Sequence, residues 1–376
     1  MIEKAFISLF IFCALDYFLF LSLVLYGIRK IQQRKTLKSP SPLSVSIVIP
    51  FRNERSNLLN NLSGLLEQNY PKDLYEIIFV DDFSTDDSAS LISEHLNNDK
   101  VKLLKLSAIG NKGGKKEALT QGINIASGEI IVTSDADCIY QKDWIKTIAA
   151  EFDESTGFIS SPVILSPQTS FFEKLQSLEF AGLILTGAGL IGIGKPTICN
   201  GANAAFRKNL FLSLGGYSDK NNLASGDDEL VMKKIFQSGI SKVKFLFNSS
   251  AAVSTSPLKT VKKLFRQRIR WASKGQYYDP ILLITFLIPV FLFFVFLILA
   301  PVYSFFTNGS FAEIILTAWA IKMFLEYIIL LNGNKLFGQT INILVFLVAE
   351  LFHPFYIAFS SLAGLFFSYS WKERKV

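Results

Sequence analysis

The sequence predicts an α/β domain with a mostly parallel, doubly wound sheet, placed between membrane-spanning segments. The first observation is that half of the 376 residues are hydrophobic and the mean hydropathy is +0.35, higher than is usual for a soluble protein. The second is that the excess hydrophobicity lies in four long runs. The third is that short β-branched stretches alternate with helical patterns between the first run and the second.

The first apolar run, residues 5–27, has the length of a membrane-spanning helix and contains one acidic residue, Asp16. A cleaved signal peptide is the alternative, but the run is too long for one and no cleavage site with small residues follows it. Residues 29–38 carry basic side chains and no acidic one. By the positive-inside rule, the following domain is expected in the cytoplasm and the chain in the plasma (inner) membrane.

Three further apolar runs follow the domain and give two or three membrane crossings. They cover residues 281–303, 311–331 and 341–368. The middle run carries Lys322 and Glu326, four residues apart on one helical face. If all three runs cross, the basic tail lies outside, against the charge rule. If the middle run instead lies in the interface or re-enters, the tail returns to the cytoplasm. The sequence leaves both topologies open.

Cysteine and histidine, which carry the chemistry of many enzymes, are scarce. Three cysteines without recognisable spacing and two histidines argue against a disulfide scaffold, a zinc site or a Cys/His catalytic pair. His353 precedes Pro354, which is expected to kink the last run, and we interpret His353 as a packed polar residue rather than a ligand. Carboxylates are therefore the expected source of the chemistry.

The net charge of +7 would by itself suit nucleic acid, an anionic membrane surface or a polyphosphate substrate. The distribution of the charge decides between these partners. Residues 29–38 and 259–274 contain many basic and no acidic side chains, and together they carry more positive charge than the whole chain has in excess. Both segments are predicted to contact membrane lipids, and no nucleic-acid partner is expected.

The middle domain has the pattern of repeated β-α units. Strands are predicted at 43–50, 75–81, 101–106 and 129–133, and helices at 57–68, 88–97 and 116–126. This order implies a parallel sheet that binds ligands at the carboxyl ends of its strands.

Acidic and glycine-rich segments follow the predicted strands. Asp81 and Asp82 end the second strand, where a carboxylate can bind a nucleobase or ribose. Capping of the next helix by residues 84–86 is the alternative, and the two roles are compatible. The turn at 111–116, with two glycines and three lysines before a helix, suits a diphosphate or is a solvated turn.

Asp135 and Asp137 follow a buried strand and face the same way if the backbone remains extended. Hard divalent cations prefer such oxygen ligands, so Mg²⁺ or Mn²⁺ is the expected cofactor, bound beside the phosphates of a substrate. A polar turn without function is the alternative, because two acids at this spacing also occur by chance.

Two later segments supply a carboxylate and a basic helix. Asp228 opens a helix, where acids commonly interact with the helix dipole, yet it is also the best available base for a hydroxyl nucleophile. Residues 259–275 form a basic amphipathic segment expected at the membrane interface. Within it Gln267, Arg270 and Trp271 share one face, so the guanidinium is suited to a phosphate and the indole to a sugar.

In this order, over residues 43–275, the motifs resemble those of the membrane-bound family 2 glycosyltransferases, which include cellulose and hyaluronan synthases and ceramide glucosyltransferase. The resemblance implies a GT-A fold and an inverting reaction without a covalent intermediate. It implies nucleotide or donor contacts from Pro50, Phe51 (where a tyrosine is commoner), Glu54, Asp81, Lys115, Asp135 and Arg270. It also implies Asp137 with Asp135 as the metal site, Asp228 as the general base, and Asn203, Gln267 and Trp271 as acceptor-binding residues.

The resemblance therefore implies sugar transfer from a nucleotide-sugar, with a UDP-sugar favoured, to an acceptor in the membrane. The motif Q-x-x-R-W is associated with processive polymer synthesis and also with single transfers to lipids. A polymer channel needs more helices than three or four apolar segments provide, which favours a lipid or lipid-linked saccharide acceptor. A processive polysaccharide synthase is the alternative. A transporter that uses Lys322 and Glu326, or an inactive nucleotide-sensing membrane partner, belongs to a different class.

The predicted organisation has six parts. They are a transmembrane helix (1–28), a basic linker (29–42), the GT-A domain (43–256), an amphipathic helix with the Q-x-x-R-W motif (257–280), a membrane region (281–370) and a basic tail (371–376).

Overall fold

The computed structural model describes residues 2–34, 42–107, 113–217, 227–273, 281, 283–306, 311–338, 340–366, 370–371 and 374–375. Several predicted segments lie partly outside these residues. They are half of the basic linker, the start of the glycine-rich turn, the residues just before the acidic helix start, the end of the amphipathic segment and part of the tail.

The domain is built on a seven-stranded sheet. Its strands are β1 (Val45–Phe51), β2 (Tyr75–Asp81), β3 (Val101–Lys105), β4 (Ile130–Thr133), β6 (Thr156–Ser160), β8 (Ala204–Arg207) and β9 (Lys242–Phe245). Their spatial order is β3-β2-β1-β4-β8-β6-β9. The first four are parallel, β8 is antiparallel to β4 and β6, and β6 is parallel to β9. The predicted mostly parallel α/β sheet is confirmed.

Helices cover this sheet. They are α2 (Arg55–Leu66), α3 (Ser88–Ser93), α4 (Lys115–Ile125), α5 (Trp144–Ala149), α7 (Lys208–Ser213) and α8 (Asp227–Gln237). Every residue of β1 and β2 is buried because both strands are central, which explains their nearly continuous apolar sequences. Helix α4 lies close to both strands at Gly122, where an added Cβ would be 2.6 Å from Val48 Cγ1. A larger residue there would push the helix off the sheet.

A second, smaller sheet lies beside the first. It contains β5 (Ile139–Tyr140), β7 (Val163–Leu165) and β10 (Val253–Thr255), with β10 in the middle. Strand β10 pairs antiparallel with β5 and parallel with β7. Because β5 follows Asp137 almost directly, this pairing brings the end of β10 to the predicted metal site.

Five described helices are long and apolar enough to cross a membrane. They are α1 (Ile2–Gln32), α6 (Phe171–Gly192), α10 (Ile288–Phe306, preceded by a π turn at Leu283–Leu287), α11 (Ala312–Phe337) and α12 (Ile343–Phe366). The amphipathic helix α9 (Val261–Ala272) lies in the chain between α6 and α10. Two short paired strands, β11 (Ser370–Trp371) and β12 (Arg374–Lys375), follow α12. The chain is an integral membrane protein, and the four predicted apolar runs correspond to α1, α10, α11 and α12.

The sequence did not predict α6 as a long apolar helix, because its second half is rich in glycine. These glycines allow close helix packing instead. An added Cβ at Gly189 would lie 2.5 Å from Val24 O, and one at Gly192 would lie 2.2 Å from Gly27 O, so the backbones of α1 and α6 are in direct contact.

Helix α6 differs from the other four because strands of the seven-stranded sheet lie both before and after it in the chain, with β7 of the smaller sheet directly before it. Strand β6 precedes it and strand β8 follows it, and these two strands are paired. A crossing of about 33 Å by α6 would require segment 193–203, which contains no α-helix, to return through the bilayer. We therefore infer that α6 lies against the membrane helices without crossing.

Two charged residues of α11, Lys322 and Glu326, lie inside the helix bundle. Lys322 is completely buried and forms ion pairs with Glu326, at 3.0 Å, and with Glu350 of α12. Tyr17 of α1 donates a hydrogen bond of 2.6 Å to Glu326, and His353 Nδ1 lies 3.3 Å from Lys322 Nζ. This polar face points into the bundle, which does not fit the alternative that α11 lies flat in the interface.

Candidate functional site

The site forms where the parallel strands β1, β2 and β4 end side by side. In the register of the sheet, Phe51 is paired with Asp81, and Val48 is paired with Thr133. The turns after the three strands therefore emerge at one edge of the sheet. These turns carry Glu54 and the acidic pairs predicted from the sequence.

The acidic pair after β2 organises the neighbouring loops. Asp81 is buried, and its Oδ1 accepts a hydrogen bond of 2.9 Å from the Ser84 backbone N–H. Asp82 Oδ1 accepts one of 2.9 Å from the Gly114 N–H, directly before α4. Gly114 has φ of 111°, a conformation that favours glycine. Asp82 thus fixes the start of the helix that carries Lys115.

Lys115 lies at this edge and is paired with Asp135. Its Nζ is 2.5 Å from Asp135 Oδ1, and both side chains are about one-third exposed. The structure therefore brings together two residues that were predicted to contact the donor from distant motifs.

The segment after β4 is a turn and not an extended strand, which corrects the prediction for Asp135 and Asp137. The Cys138 N–H donates to the Asp135 carbonyl at 3.1 Å. The buried amide of Asn61 in α2 donates to the same carbonyl at 3.1 Å and to the Cys138 carbonyl at 3.0 Å. A helix side chain thus holds the turn that carries both carboxylates.

Asp137 is exposed to solvent by surface area, yet protein atoms crowd its carboxylate. Desolvation by these atoms is the largest cause that raises the pKa of Asp137, and the negative charges of Asp135 and Glu54 add to it. A hydrogen bond of 2.8 Å from the Thr255 hydroxyl, at the end of β10, acts in the opposite direction. Crowded carboxylates that repel one another are a suitable donor set for a hard divalent cation. Asp135 and Asp137 therefore fit a Mg²⁺ or Mn²⁺ ion.

Asp228 lies in the first turn of α8 and packs against a short 3₁₀ turn, Gly201–Asn203. An added Cβ at Gly201 would be 3.3 Å from Asp228 Oδ2. The Gly201 carbonyl accepts a hydrogen bond of 3.0 Å from Thr133, the last residue of β4. The predicted base is thus held beside the strand that leads into Asp135.

The structure places three predicted binding residues in the interior. Asn203 is fully buried, accepts a hydrogen bond from Trp144 Nε1 at 3.0 Å, and donates to the Pro162 and Ala251 carbonyls at 2.7 and 2.8 Å. Its side chain is therefore occupied in packing and is not available to an acceptor. Pro50 and Phe51 are also buried, and the Phe51 ring packs against Phe79. Glu54, the third residue near the end of β1 that was predicted to contact the nucleotide, is partly exposed.

The motif Q-x-x-R-W lies in α9, as predicted. Gln267, Arg270 and Trp271 are partly buried. The guanidinium of Arg268, between them in sequence, lies 4.2 Å from the centre of the Trp271 ring. The indole is therefore contacted by a cation, and its ring also packs against Phe180 of α6.

Sequence reasoning missed three residues that shape the site: Asn61, Asp82 as a loop anchor, and Thr255. A signal existed for Asn61, since it interrupts the apolar face of α2 formed by Leu58, Leu62 and Leu65. Thr255 gave no signal, because its relation to Asp137 depends on the pairing of β10 with β5.

Comparison with known proteins agrees with this geometry. The family described as "Glycosyl transferase family 2" matches residues 46–215. A probable glycosyltransferase, YdaM of Bacillus subtilis, is 28% identical over 62% of this chain and 55% of its own length. The beta-monoglucosyldiacylglycerol synthase of a Nostoc species is 29% identical over 63% and 51%. The poly-beta-1,6-N-acetyl-D-glucosamine synthase of Staphylococcus epidermidis is 26% identical over 61% and 54%. The matches thus cover about half the length of these curated relatives.

Among solved structures, the mannosyltransferase PcManGT of Pyrobaculum calidifontis, in complex with GDP-Man and Mn²⁺, aligns with a TM-score of 0.56. It is 18% identical, and the alignment covers 97% of this chain and 99% of that one, so the likeness concerns the fold. The sheet domain and the membrane helices both belong to this shared arrangement. Residues 46–215 therefore match the family 2 glycosyltransferases, and they lie in a GT-A-like sheet domain that is joined to long apolar helices.

Proposed function

We propose that this chain transfers a sugar from a nucleotide-sugar to a lipid or lipid-linked saccharide in the membrane, with inversion at the anomeric carbon. The observation that carries the proposal is the convergence at one sheet edge of Asp228, Lys115 and the pair Asp135 and Asp137. A carboxylate base, a cation and a crowded acidic pair are the groups that displacement of a nucleoside diphosphate requires.

The nucleotide-sugar is proposed to bind along the ends of β1, β2 and β4, with Glu54, Asp81 and Lys115 beside it. Asp137 and Asp135 would hold a divalent cation, which when bound neutralises the charge of the departing diphosphate. The mannosyltransferase that shares the fold is in complex with GDP-Man and Mn²⁺, which supports a nucleotide-sugar and a metal of this kind. We favour a UDP-sugar as the donor.

In the proposed reaction the acceptor hydroxyl oxygen attacks the anomeric carbon and forms the new glycosidic bond. The bond from that carbon to the diphosphate oxygen breaks, and its electron pair leaves with the nucleoside diphosphate. Asp228 takes the proton of the hydroxyl, and Arg270 is proposed to pair with the phosphate. One displacement inverts the anomeric centre, and no bond to the protein forms.

The membrane arrangement supports an acceptor that remains in the bilayer. Exposed basic residues of α9 (Lys262, Lys263 and Arg266) adjoin the membrane helices, and the domain is proposed to lie at the cytoplasmic face by the charge rule. The relatives include one named as a glycolipid synthase and one named as a polysaccharide synthase. A processive synthase therefore remains the second candidate.

The test is to incubate purified protein, Mn²⁺ and a panel of labelled nucleotide-sugars with a membrane lipid extract. One organic-extractable labelled product would support single transfer to a lipid. A ladder of high-molecular-weight product would support the processive synthase instead. Nucleotide-sugar that is neither consumed nor bound would contradict both candidates.

A further inference from the structure

Arg268 occupies the centre of a polar cluster that joins three helices, and the proposed reaction assigns it no role. Its side chain is 4% exposed. In α6, Glu179 forms an ion pair with Arg268 Nη2 and accepts a hydrogen bond of 3.2 Å from its Nε. In α12, the Tyr356 hydroxyl accepts a bond of 2.8 Å from the same Nε and donates one of 3.0 Å to Glu179 Oε1.

The same guanidinium contacts two residues of the Q-x-x-R-W motif. Arg268 Nη1 donates a hydrogen bond of 2.5 Å to Gln267 Oε1. Its carbon Cζ lies 4.2 Å from the centre of the Trp271 ring, and this ring also packs against Phe180, the neighbour of Glu179. The positions of the Gln267 and Trp271 side chains therefore depend on where Arg268 is held.

Helix α12 determines part of that position. Phe265 of α9 contacts the rings of Tyr356 and Phe359, with centroid distances of 6.2 and 5.1 Å. At Gly364 an added Cβ would lie 2.6 Å from the Ala272 Cβ, so the two helices are in close contact. Any displacement of α12 would reach Arg268 through Tyr356.

The cluster uses properties that are specific to arginine. Its planar guanidinium donates in several fixed directions, to Glu179, Tyr356 and Gln267, and stacks on the indole at the same time. A lysine at this position would keep the charge but not the fork of donors. A buried cation also needs its counter-ion, so Glu179 and Arg268 are expected to be coupled.

We propose that Glu179, Arg268 and Tyr356 are positioning residues for the transfer step, which hold Gln267 and Trp271 in place for the acceptor according to the packing of α12. This proposal rests on the proposed function. It makes different predictions for the binding of the nucleotide-sugar and for the use of the acceptor. Nucleotide-sugar binding at the strand ends does not depend on the cluster, whereas the use of the membrane acceptor does.

The test compares Tyr356→Phe and Arg268→Lys with the wild type in three measurements: the dissociation constant of the nucleotide-sugar, its hydrolysis by water, and the kcat and KM of transfer to the lipid acceptor. Tyr327→Phe is the matched control, since it removes a hydroxyl from membrane helix α11, where the ring packs against Phe346. The thermal unfolding midpoint of each variant shows that it is folded.

We expect kcat/KM for the acceptor to fall about tenfold or more in Arg268→Lys and about threefold in Tyr356→Phe, since the latter loses two hydrogen bonds but keeps the ring. The nucleotide-sugar dissociation constant and its hydrolysis should stay within twofold of the wild type, and Tyr327→Phe should match the wild type throughout. If Arg268→Lys does not fold, Tyr356→Phe alone decides.

Equal losses of hydrolysis and transfer, or unchanged transfer in folded Tyr356→Phe, would overturn the positioning role. A wild type that neither binds nor consumes nucleotide-sugars would overturn the proposed function itself. The two failures are therefore distinguishable in one set of assays.

Discussion

Two groups of carboxylates in this chain differ in how the protein neutralises them. In the membrane bundle, Glu326 and Glu350 surround the buried Lys322, and Tyr17 donates a further hydrogen bond to Glu326. At the sheet edge, Asp135 has Lys115 as its partner, whereas the contact described for Asp137 is a neutral hydroxyl. The membrane group is enclosed, and the sheet-edge group is open to solvent.

The difference shows why spacing alone does not identify a metal site. Glu326, Glu350 and His353 place three potential ligand atoms within 4.8 Å of one another. Lys322 Nζ already lies among these atoms and supplies the positive charge that a metal would bring. At Asp137 the charges of Asp135 and Glu54 instead add to the desolvation that raises the pKa. We therefore expect the membrane group to join helices and the sheet-edge group to bind ligands.

The largest expected effect concerns Asp228 at the open group. Asp228→Asn keeps the shape of the side chain but removes the base, so transfer should fall by about 10²–10⁴-fold while the nucleotide-sugar dissociation constant stays within threefold. Initial rates of transfer and equilibrium binding measure the two quantities. Asp99→Asn, an exposed acid away from the site, is the control. Activity within threefold of the wild type in Asp228→Asn would show that Asp228 is not the general base.

The enclosed group should respond through stability instead. Lys322→Met leaves Glu326 and Glu350 buried without their cation, and we expect it to lower the free energy of unfolding by about 3 kcal/mol. Thermal unfolding in detergent measures this effect. Lys335→Met, on the exposed surface of the same helix, is the control and should have little effect. A stable Lys322→Met protein that has lost nucleotide-sugar binding would place a functional site in the membrane bundle.

How far the sequence could predict this molecule differs between these regions. The α/β sheet and four of the five long apolar helices followed from patterns of a few residues, because each β-strand and each helix has its own periodicity; the glycine-rich α6 did not. The turn at Asp135 and Asp137 did not, since the Asn61 side chain from α2 imposes it. The same limit applied to Asn203, which has the residue type of a binding group but lies among Trp144, Pro162 and Ala251. Contacts between distant segments decide such cases.

A third carboxylate, Glu76 in β2, extends the comparison within the sheet domain. Burial acts to raise its pKa, but hydrogen bonds from Lys102, Ser127 and Ser46 outweigh this and lower the pKa to about 2. Since this folded-state pKa lies below the ordinary value of 4.5, Glu76 stabilises the fold above pH 4.5. That contribution, about 3 kcal/mol, is lost as the pH falls from about 4.5 to about 2.

Glu76→Gln should therefore be less stable than the wild type at pH 6, and the difference should shrink towards pH 2. Unfolding midpoints measured across this pH range test the expectation. Glu67→Gln, an exposed acid of the same domain, should follow the wild type. A constant difference between Glu76→Gln and the wild type at every pH would contradict the lowered pKa.

The smallest expected effect concerns the hydroxyl that orients Asp137. Thr255→Val keeps the shape of the side chain but removes the hydrogen bond, so we expect Mn²⁺ to bind about tenfold more weakly. Thr255→Ser should restore most of the affinity. Titration calorimetry with Mn²⁺ gives the affinities directly. Equal affinity in the wild type and Thr255→Val would show that the hydroxyl does not act on the metal.

The most direct test of the central claim asks which carboxylate group binds a metal. Mn²⁺ bound to purified protein can be counted by electron paramagnetic resonance in the wild type, Asp137→Ala and Glu350→Gln. We predict that the site occupied in the wild type is lost in Asp137→Ala and retained in Glu350→Gln. Retention in Asp137→Ala together with loss in Glu350→Gln would contradict the account, because it would assign the metal to the membrane helices.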